Sequence, residues 1–141
     1  MWTCPRCGRA FANRNQTHSC RALVDLDEHF SSSAPVVRDI FDRIVDEVSA
    51  LGPVIILSEK TRIALQTRMS FAAFVPRRDW LDGHVVLSER LYSPRFTRVE
   101  TYSPRNVLHA FRLREVAEVD NEFRDWLKRS YRVGDQEHLE S

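Results

Sequence analysis

The sequence predicts an α+β protein: an N-terminal zinc knuckle, then a helix, a mainly antiparallel sheet of about five or six strands, and a C-terminal helix. Three observations predict it. All three cysteines fall within the first 20 residues. Apolar residues recur at helical spacing in one stretch before the middle of the chain and another near its end. Between these stretches lie short β-rich runs, with no intervening helix long enough to make parallel crossovers.

The first helix starts after Ser31-Ser32-Ser33, with a serine at or near the N-cap and Pro35 in the first turn. Val37, Ile40, Phe41, Ile44, Val45, Val48 and Leu51 repeat on one face, Asp39, Asp42, Arg43, Asp46 and Glu47 on the other, and Gly52-Pro53 stops it. Strands are expected at Val54 to Leu57, Thr61 to Thr67, Phe71 to Val75, Val85 to Leu87, Phe96 to Thr101 and Val107 to Leu113. Breaks fall at Ser58 to Lys60, Pro76 to Gly83, Ser93-Pro94 and Ser103-Pro104. A helix over residues 119 to 132 carries Phe123, Trp126, Leu127 and Tyr131 on one face. Both helices are expected on one face of the sheet. The organisation predicted is a knuckle over residues 1–22, a linker over 23–34, the α+β domain over 35–134 and a tail over 135–141.

The knuckle reads CPRCGRAFANRNQTHSC from residue 4 to residue 20. Cys4-Pro5-Arg6-Cys7-Gly8 is a C-x-x-C-G turn that presents two thiolates to one ion, with Pro5 presetting the turn and Gly8 free to take a positive φ. His18 and Cys20 are two apart, so on an extended segment their side chains lie on one side of the chain. Cys4, Cys7, His18 and Cys20 together make a Cys3His set, a recognised tetrahedral zinc site. Four protein ligands leave no open position for water or substrate, which points to a structural Zn2+ rather than a catalytic one. A segment of about 20 residues has no core of its own, so the metal would supply its folding energy.

Net charge is only +1, but it is unevenly distributed. Residues 1–22 carry four Arg and no acid, and residues 68–114 nine Arg against four acids; the segments 23–50 and 115–141 are acidic. The basic segment interleaves arginines with Phe71, Phe74, Trp80, Tyr92, Phe96 and Tyr102, a pattern suited to phosphate and base stacking. Arg9, Arg14, Arg68, Arg77, Arg78, Arg95 and Arg105 are the candidate anion contacts, with DNA or RNA the expected partner. The counter-reading is compositional: with 19 Arg against two Lys, the bias need not reflect arginine chemistry. The repeated Tyr92-Ser93-Pro94-Arg95 and Tyr102-Ser103-Pro104-Arg105 reads first as two similar turns.

Membrane and secretory classes are disfavoured. Apolar runs such as Val54 to Leu57 and Phe71 to Val75 are far short of the roughly 18 residues a span needs, and no signal-peptide pattern opens the chain. A cytoplasmic protein is expected, where thiols stay reduced and bind metal. Catalytic patterns are lacking: no H-E-x-x-H, no G-x-S-x-G and no clustered glycines. His84, after Asp82-Gly83, is expected exposed at a turn. His109 alternates in register with Val107 and Phe111, and reads as a satisfied sheet histidine before it reads as a general base.

The residues resemble a family of small uncharacterised bacterial proteins in which a CPxCGRxF...NQ.HSC knuckle precedes a domain of unknown function. The matching stretches include Cys4 to Phe11, Asn15-Gln16, His18 to Cys20, Leu26 to Phe30, Gly52-Pro53-Val54, Arg68 to Ala72, Trp80 to Gly83, Tyr102 to Asn106, His109 to Leu113 and Trp126 to Gly134. The resemblance implies a small α+β module and no established activity; some related domains are fused behind nuclease-like modules. The first expectation is therefore a zinc-containing binding protein that contacts nucleic acid through an Arg-rich face. The second is a protein-interaction or small-ligand module with a sheet pocket formed by Arg68, His109 and Arg112, and the third an enzyme built on that pocket.

Overall fold

The computed structural model describes the backbone of residues 2–3 and 10–11 and the whole of residues 25–135. Near the N-terminus two short strands, β1 (Trp2–Thr3) and β2 (Ala10–Phe11), pair antiparallel with Thr3 opposite Ala10. The zinc-ligand set Cys4, Cys7, His18 and Cys20, together with Arg9 and Arg14, lies outside the described residues.

Helix α1 (Pro35–Ser49) buries Val37, Ile40, Phe41, Ile44 and Val48, the face its periodicity predicts. Its start differs in detail from the expectation. Ala34 is the N-cap and no side chain caps the helix. Ser33 instead donates its hydroxyl to the Arg77 carbonyl at 2.6 Å, and the Ala34 N–H donates to the Arg78 carbonyl at 2.7 Å. The serine thus anchors the helix start to the sheet. After the helix, Gly52 takes φ +153°, a conformation that disfavours any side chain. The turn is fastened from across the fold by the Tyr131 hydroxyl, which donates to the Pro53 carbonyl at 2.9 Å.

Six strands follow: β3 (Ile55–Ser58), β4 (Ile63–Gln66), β5 (Ser70–Pro76), β6 (Leu81–Leu87), β7 (Phe96–Ser103) and β8 (Asn106–Leu113). They form one wholly antiparallel sheet in the order β3-β4-β5-β6-β8-β7. The first four make a meander; β7 runs to the edge and β8 returns between it and β6. Helix α2 (Asn121–Gly134) closes the fold, capped by Asp120, whose side chain accepts from the Phe123 N–H at 3.0 Å.

One strand starts earlier than expected. Asp82-Gly83 reads as a turn, yet both residues lie inside β6, paired with Arg112 and Phe111 of β8. The glycine serves packing there: a Cβ at position 83 would lie 2.6 Å from the Phe74 ring and 3.0 Å from the Ala73 carbonyl oxygen. The stretch expected as linker also carries structure. Leu26–Phe30 forms a 3₁₀ turn whose Leu26 and Phe30 pack on the core, with the Phe30 and Phe41 rings 5.4 Å apart.

Both helices cover one face of the sheet. Phe74 meets Phe41 and Phe111, and Phe111 meets Phe123 edge-on at 4.9 Å. Each such fully buried side chain contributes roughly 1.5–3 kcal/mol by removal from water. Among the described residues the opposite face carries a smaller apolar cluster at one end, Leu57, Ala64 and Ala73, bordered by Ile55, and Leu108 is buried on it as well. Among the described residues no helix is long and apolar enough to cross a membrane.

Candidate functional site

Strand periodicity decides what the open face displays. In β6, Leu81, Val85 and Leu87 turn toward the helices, so Asp82 and His84 turn away; in β8, Phe111 and Leu113 turn in, while Ala110 and Arg112 turn out. Ala73 of β5 and Ala110 of β8 flank His84 as small residues and leave a depression of about 310 Å³ in the sheet surface. Arg62 from the turn before β4, Arg77 from the turn after β5, Arg98 from β7 and Arg112 from β8 converge around it.

Each guanidinium is held by a carboxylate. Asp82 takes two: one carboxylate oxygen accepts from Arg77 Nε at 3.0 Å and the other from Arg112 Nε at 3.0 Å. Burial works against the Asp82 charge, but the bonds from Arg112 and Arg77 outweigh it and hold its carboxyl below the usual range. Arg62 pairs at 3.1 Å with Glu59, which is only 2% exposed, and Arg98 pairs with Glu100 at 3.1 Å. Because Asp82 is shared, four guanidiniums meet three carboxylates and the groove keeps a positive excess. At one rim, the Arg112 and Arg114 guanidiniums lie 4.4 and 5.0 Å from the centre of the Trp80 ring.

His84 sits among these groups. Burial, followed by the charges of Arg62 and Arg98, pushes its pKa down to about 4, with Glu100 opposing. At neutral pH the ring is uncharged and offers one donor and one acceptor to whatever enters the groove. This corrects the expectation that His84 is exposed at a turn: the residue belongs to a strand and is partly buried on its face.

The pocket expected from Arg68, His109 and Arg112 does not assemble. His109 and Arg112 are three apart in β8, an odd spacing that sends them to opposite faces. His109 is fully buried on the helix side. The Leu91 N–H donates to its Nε2 at 3.0 Å, so Nδ1 carries the proton and donates to the Val107 carbonyl at 3.0 Å. Its ring packs 4.8 Å from that of Phe96. Burial lowers the His109 pKa, the Val107 bond opposing and the Arg90 charge adding to the drop. Arg68 lies in the β4–β5 turn and lines a separate depression with Pro53, Val54 and Tyr131.

The other predicted arginines among the described residues are dispersed as well. Arg78 lies beside Arg77 in the β5–β6 turn, and its carbonyl receives the start of α1. Arg105 is in the β7–β8 turn. Arg95 is committed to α2: it donates to Asp120 at 3.0 Å, to Glu122 at 3.1 Å and to the Glu118 carbonyl at 2.6 Å, with its guanidinium 5.1 Å from the Trp126 ring centre. Among the described residues, Arg77 of the predicted anion contacts and Arg112 of the predicted pocket belong to the groove. Arg62, Asp82, His84 and Arg98 complete it, and the alternation of Leu81-Asp82-Gly83-His84-Val85 was the signal for two of them. Among the described residues no group of three or more His, Cys, Asp or Glu is arranged to hold a metal ion.

No curated protein and no solved structure matches the chain. Residues 26–134, from the 3₁₀ turn through the end of α2, match the family described as Domain of unknown function (DUF5655). The protein therefore belongs to the DUF5655 family.

Proposed function

We propose that the protein binds nucleic acid through the groove on the open sheet face, and that Cys4, Cys7, His18 and Cys20 hold a structural Zn2+ beside it in the chain. The observation that carries the first part is the convergence of Arg62, Arg77, Arg98 and Arg112 around one depression. Guanidinium groups fixed by carboxylates present their remaining N–H donors in defined directions, which suits phosphodiester oxygens. The groove crosses strands from β4 to β7, four strand spacings or roughly 19 Å, a length fitting an extended polyanion better than a single small anion. Contacts of this kind read the backbone and carry little sequence preference. Trp80 at the rim adds a flat apolar surface against which a base can stack, its ring already shared with Arg112 and Arg114.

Support for the zinc is the Cys3His spacing. Thr3 pairs with Ala10, and the stretch of sequence between them contains Cys4 and Cys7, as a C-x-x-C turn between two short strands requires.

The test is fluorescence anisotropy with labelled single-stranded DNA and RNA of about 12 nucleotides. Affinity is expected to fall with salt at a log–log slope of about −0.7 per phosphate contacted, and the Arg62→Ala and Arg112→Ala variants should each flatten that slope. No binding at about 20 mM salt, where phosphate contacts are strongest, would overturn the proposal. For the metal, protein purified without added zinc should carry one equivalent, and a Cys4→Ser variant keeping full stoichiometry would refute the ligand set.

A further inference from the structure

The two edges of the sheet differ. β3 is four residues long, whereas β7 runs for eight, from Phe96 to Ser103, and among the described residues pairs only with β8. A long outer strand presents unpaired N–H and C=O groups that template another strand. The sequence of this edge is self-complementary. Thr97-Arg98-Val99-Glu100-Thr101 is a charge palindrome about Val99. Antiparallel pairing of two copies centred on that residue sets Arg98 of each opposite Glu100 of the other and Thr97 opposite Thr101. Opposite charges and paired threonines directly across a ladder are the favourable combinations. The pairing of β7 with β8 is regular from Arg98 to Thr101 and irregular at both ends of that stretch, so the regular edge holds four of the five palindrome residues, Arg98 to Thr101, while Thr97 falls in the irregularity. Within one chain Arg98 and Glu100 already pair at 3.1 Å and both remain solvent-accessible, which places the two charges side by side on one face, ready to exchange partners.

We propose that two copies of this chain associate through their β7 edges, in the register Val99 on Val99, to form one continuous antiparallel sheet with two-fold symmetry. The interface is a strand pair and not a broad face, so it lies below the roughly 1,200 Å² of standard interfaces; weak, reversible association is expected, and the test is scaled to a dissociation constant on the order of 10–100 µM. Thr97 and Arg98 also line the groove, so the dimer abuts the two grooves across the junction.

The test is sedimentation equilibrium of the full chain up to about 500 µM, well above the expected dissociation constant. A weight-average mass of about 1.7 to 1.9 times the 16.5 kDa chain mass is expected at the top of the range. Arg98→Glu sets carboxylate against carboxylate and Glu100→Arg sets guanidinium against guanidinium, so each should weaken association at least tenfold while leaving the circular dichroism spectrum unchanged. The double swap Arg98→Glu/Glu100→Arg restores both cross-pairs and should restore the dimer. A wild-type chain that stays monomeric throughout, single variants that associate like wild type, or a double variant no better than the singles would each overturn the register. Mass is read without nucleic acid, so failure here leaves the groove's binding a separate question.

Discussion

The two histidines on neighbouring strands, His84 and His109, compare the two faces of one sheet. Their ladder positions adjoin: His84 pairs with Ala110 and His109 with Val85. Both have lowered pKa values, with burial as the largest cause. The difference lies in what surrounds them. His109 has both ring nitrogens spent on backbone groups and an aromatic neighbour, so its role is to hold the Leu91 segment on the core. His84 is neutral partly because Arg62 and Arg98 stand beside it. An arriving anion would offset those same charges. One face thus uses its polar residues to complete packing, the other to keep a charged surface in fixed geometry.

The sharpest way to break this comparison is to cut one side chain from each face at adjacent positions of β8. Phe111→Ala should cost about 3–5 kcal/mol, read from urea denaturation, because a fully packed ring leaves a cavity. Arg112→Ala should cost less than about 1 kcal/mol, since its ion pair is partly exposed, while reducing oligonucleotide affinity. Equal destabilisation by the two would mean that the open face is structural. Gly83→Ala tests whether the groove floor is limited by the core beneath it. The added methyl meets the Phe74 ring and should cost about 1–3 kcal/mol, and an unchanged urea midpoint would show that the ring yields freely.

Acid should separate the two faces more gently. A histidine whose folded pKa is depressed binds fewer protons in the native than in the unfolded state. Its contribution is therefore complete above the ordinary value near 6.5 and is lost as pH falls toward about 4 for His84. Both histidines act in this direction. The expected loss from His84 is roughly 1–2 kcal/mol, reduced from the full value by solvent at the groove, and His84→Gln should flatten the stability profile over that window. An identical slope in that variant would place the whole effect elsewhere. Smallest of all, oligonucleotide binding should strengthen about twofold to tenfold between pH 7 and pH 5, because a bound phosphate raises the His84 pKa and takes up a proton. Affinity independent of pH would remove His84 from the contact surface.

Much of the fold could be read in advance, for identifiable reasons. α1 and α2 bury most of the residues their spacing names, Val45 and Tyr131 only in part and Leu51, beyond the end of α1, not at all; five of the six strands lie within a few residues of their expected bounds, because one face of each is buried and alternation is a strong signal. β6 was cut short because Asp82-Gly83 has the chemistry of a turn, while its true reason, the room Phe74 needs, depends on a neighbour distant in sequence. The site was less legible for the same reason. Which arginines meet is set by strand order, and nothing local says that β8 inserts between β6 and β7. Arg95 and Arg98 illustrate the limit: three residues apart in one basic run, one grips the start of α2 and the other lines the groove.

The place where β8 meets β6 also bears on folding. The chain makes β3 through β6 as a run of local hairpins and β7 with β8 as another, so the β6–β8 junction is the one strand pairing in the sheet that must wait for two finished pieces to meet. Asp82 and Arg112 lie opposite each other across that junction, with Arg77 on the near side. Neither piece alone contains the groove. The groove is therefore a late feature of this chain, complete only when the two pieces dock, and a molecule arrested before that step would hold most of its secondary structure without it.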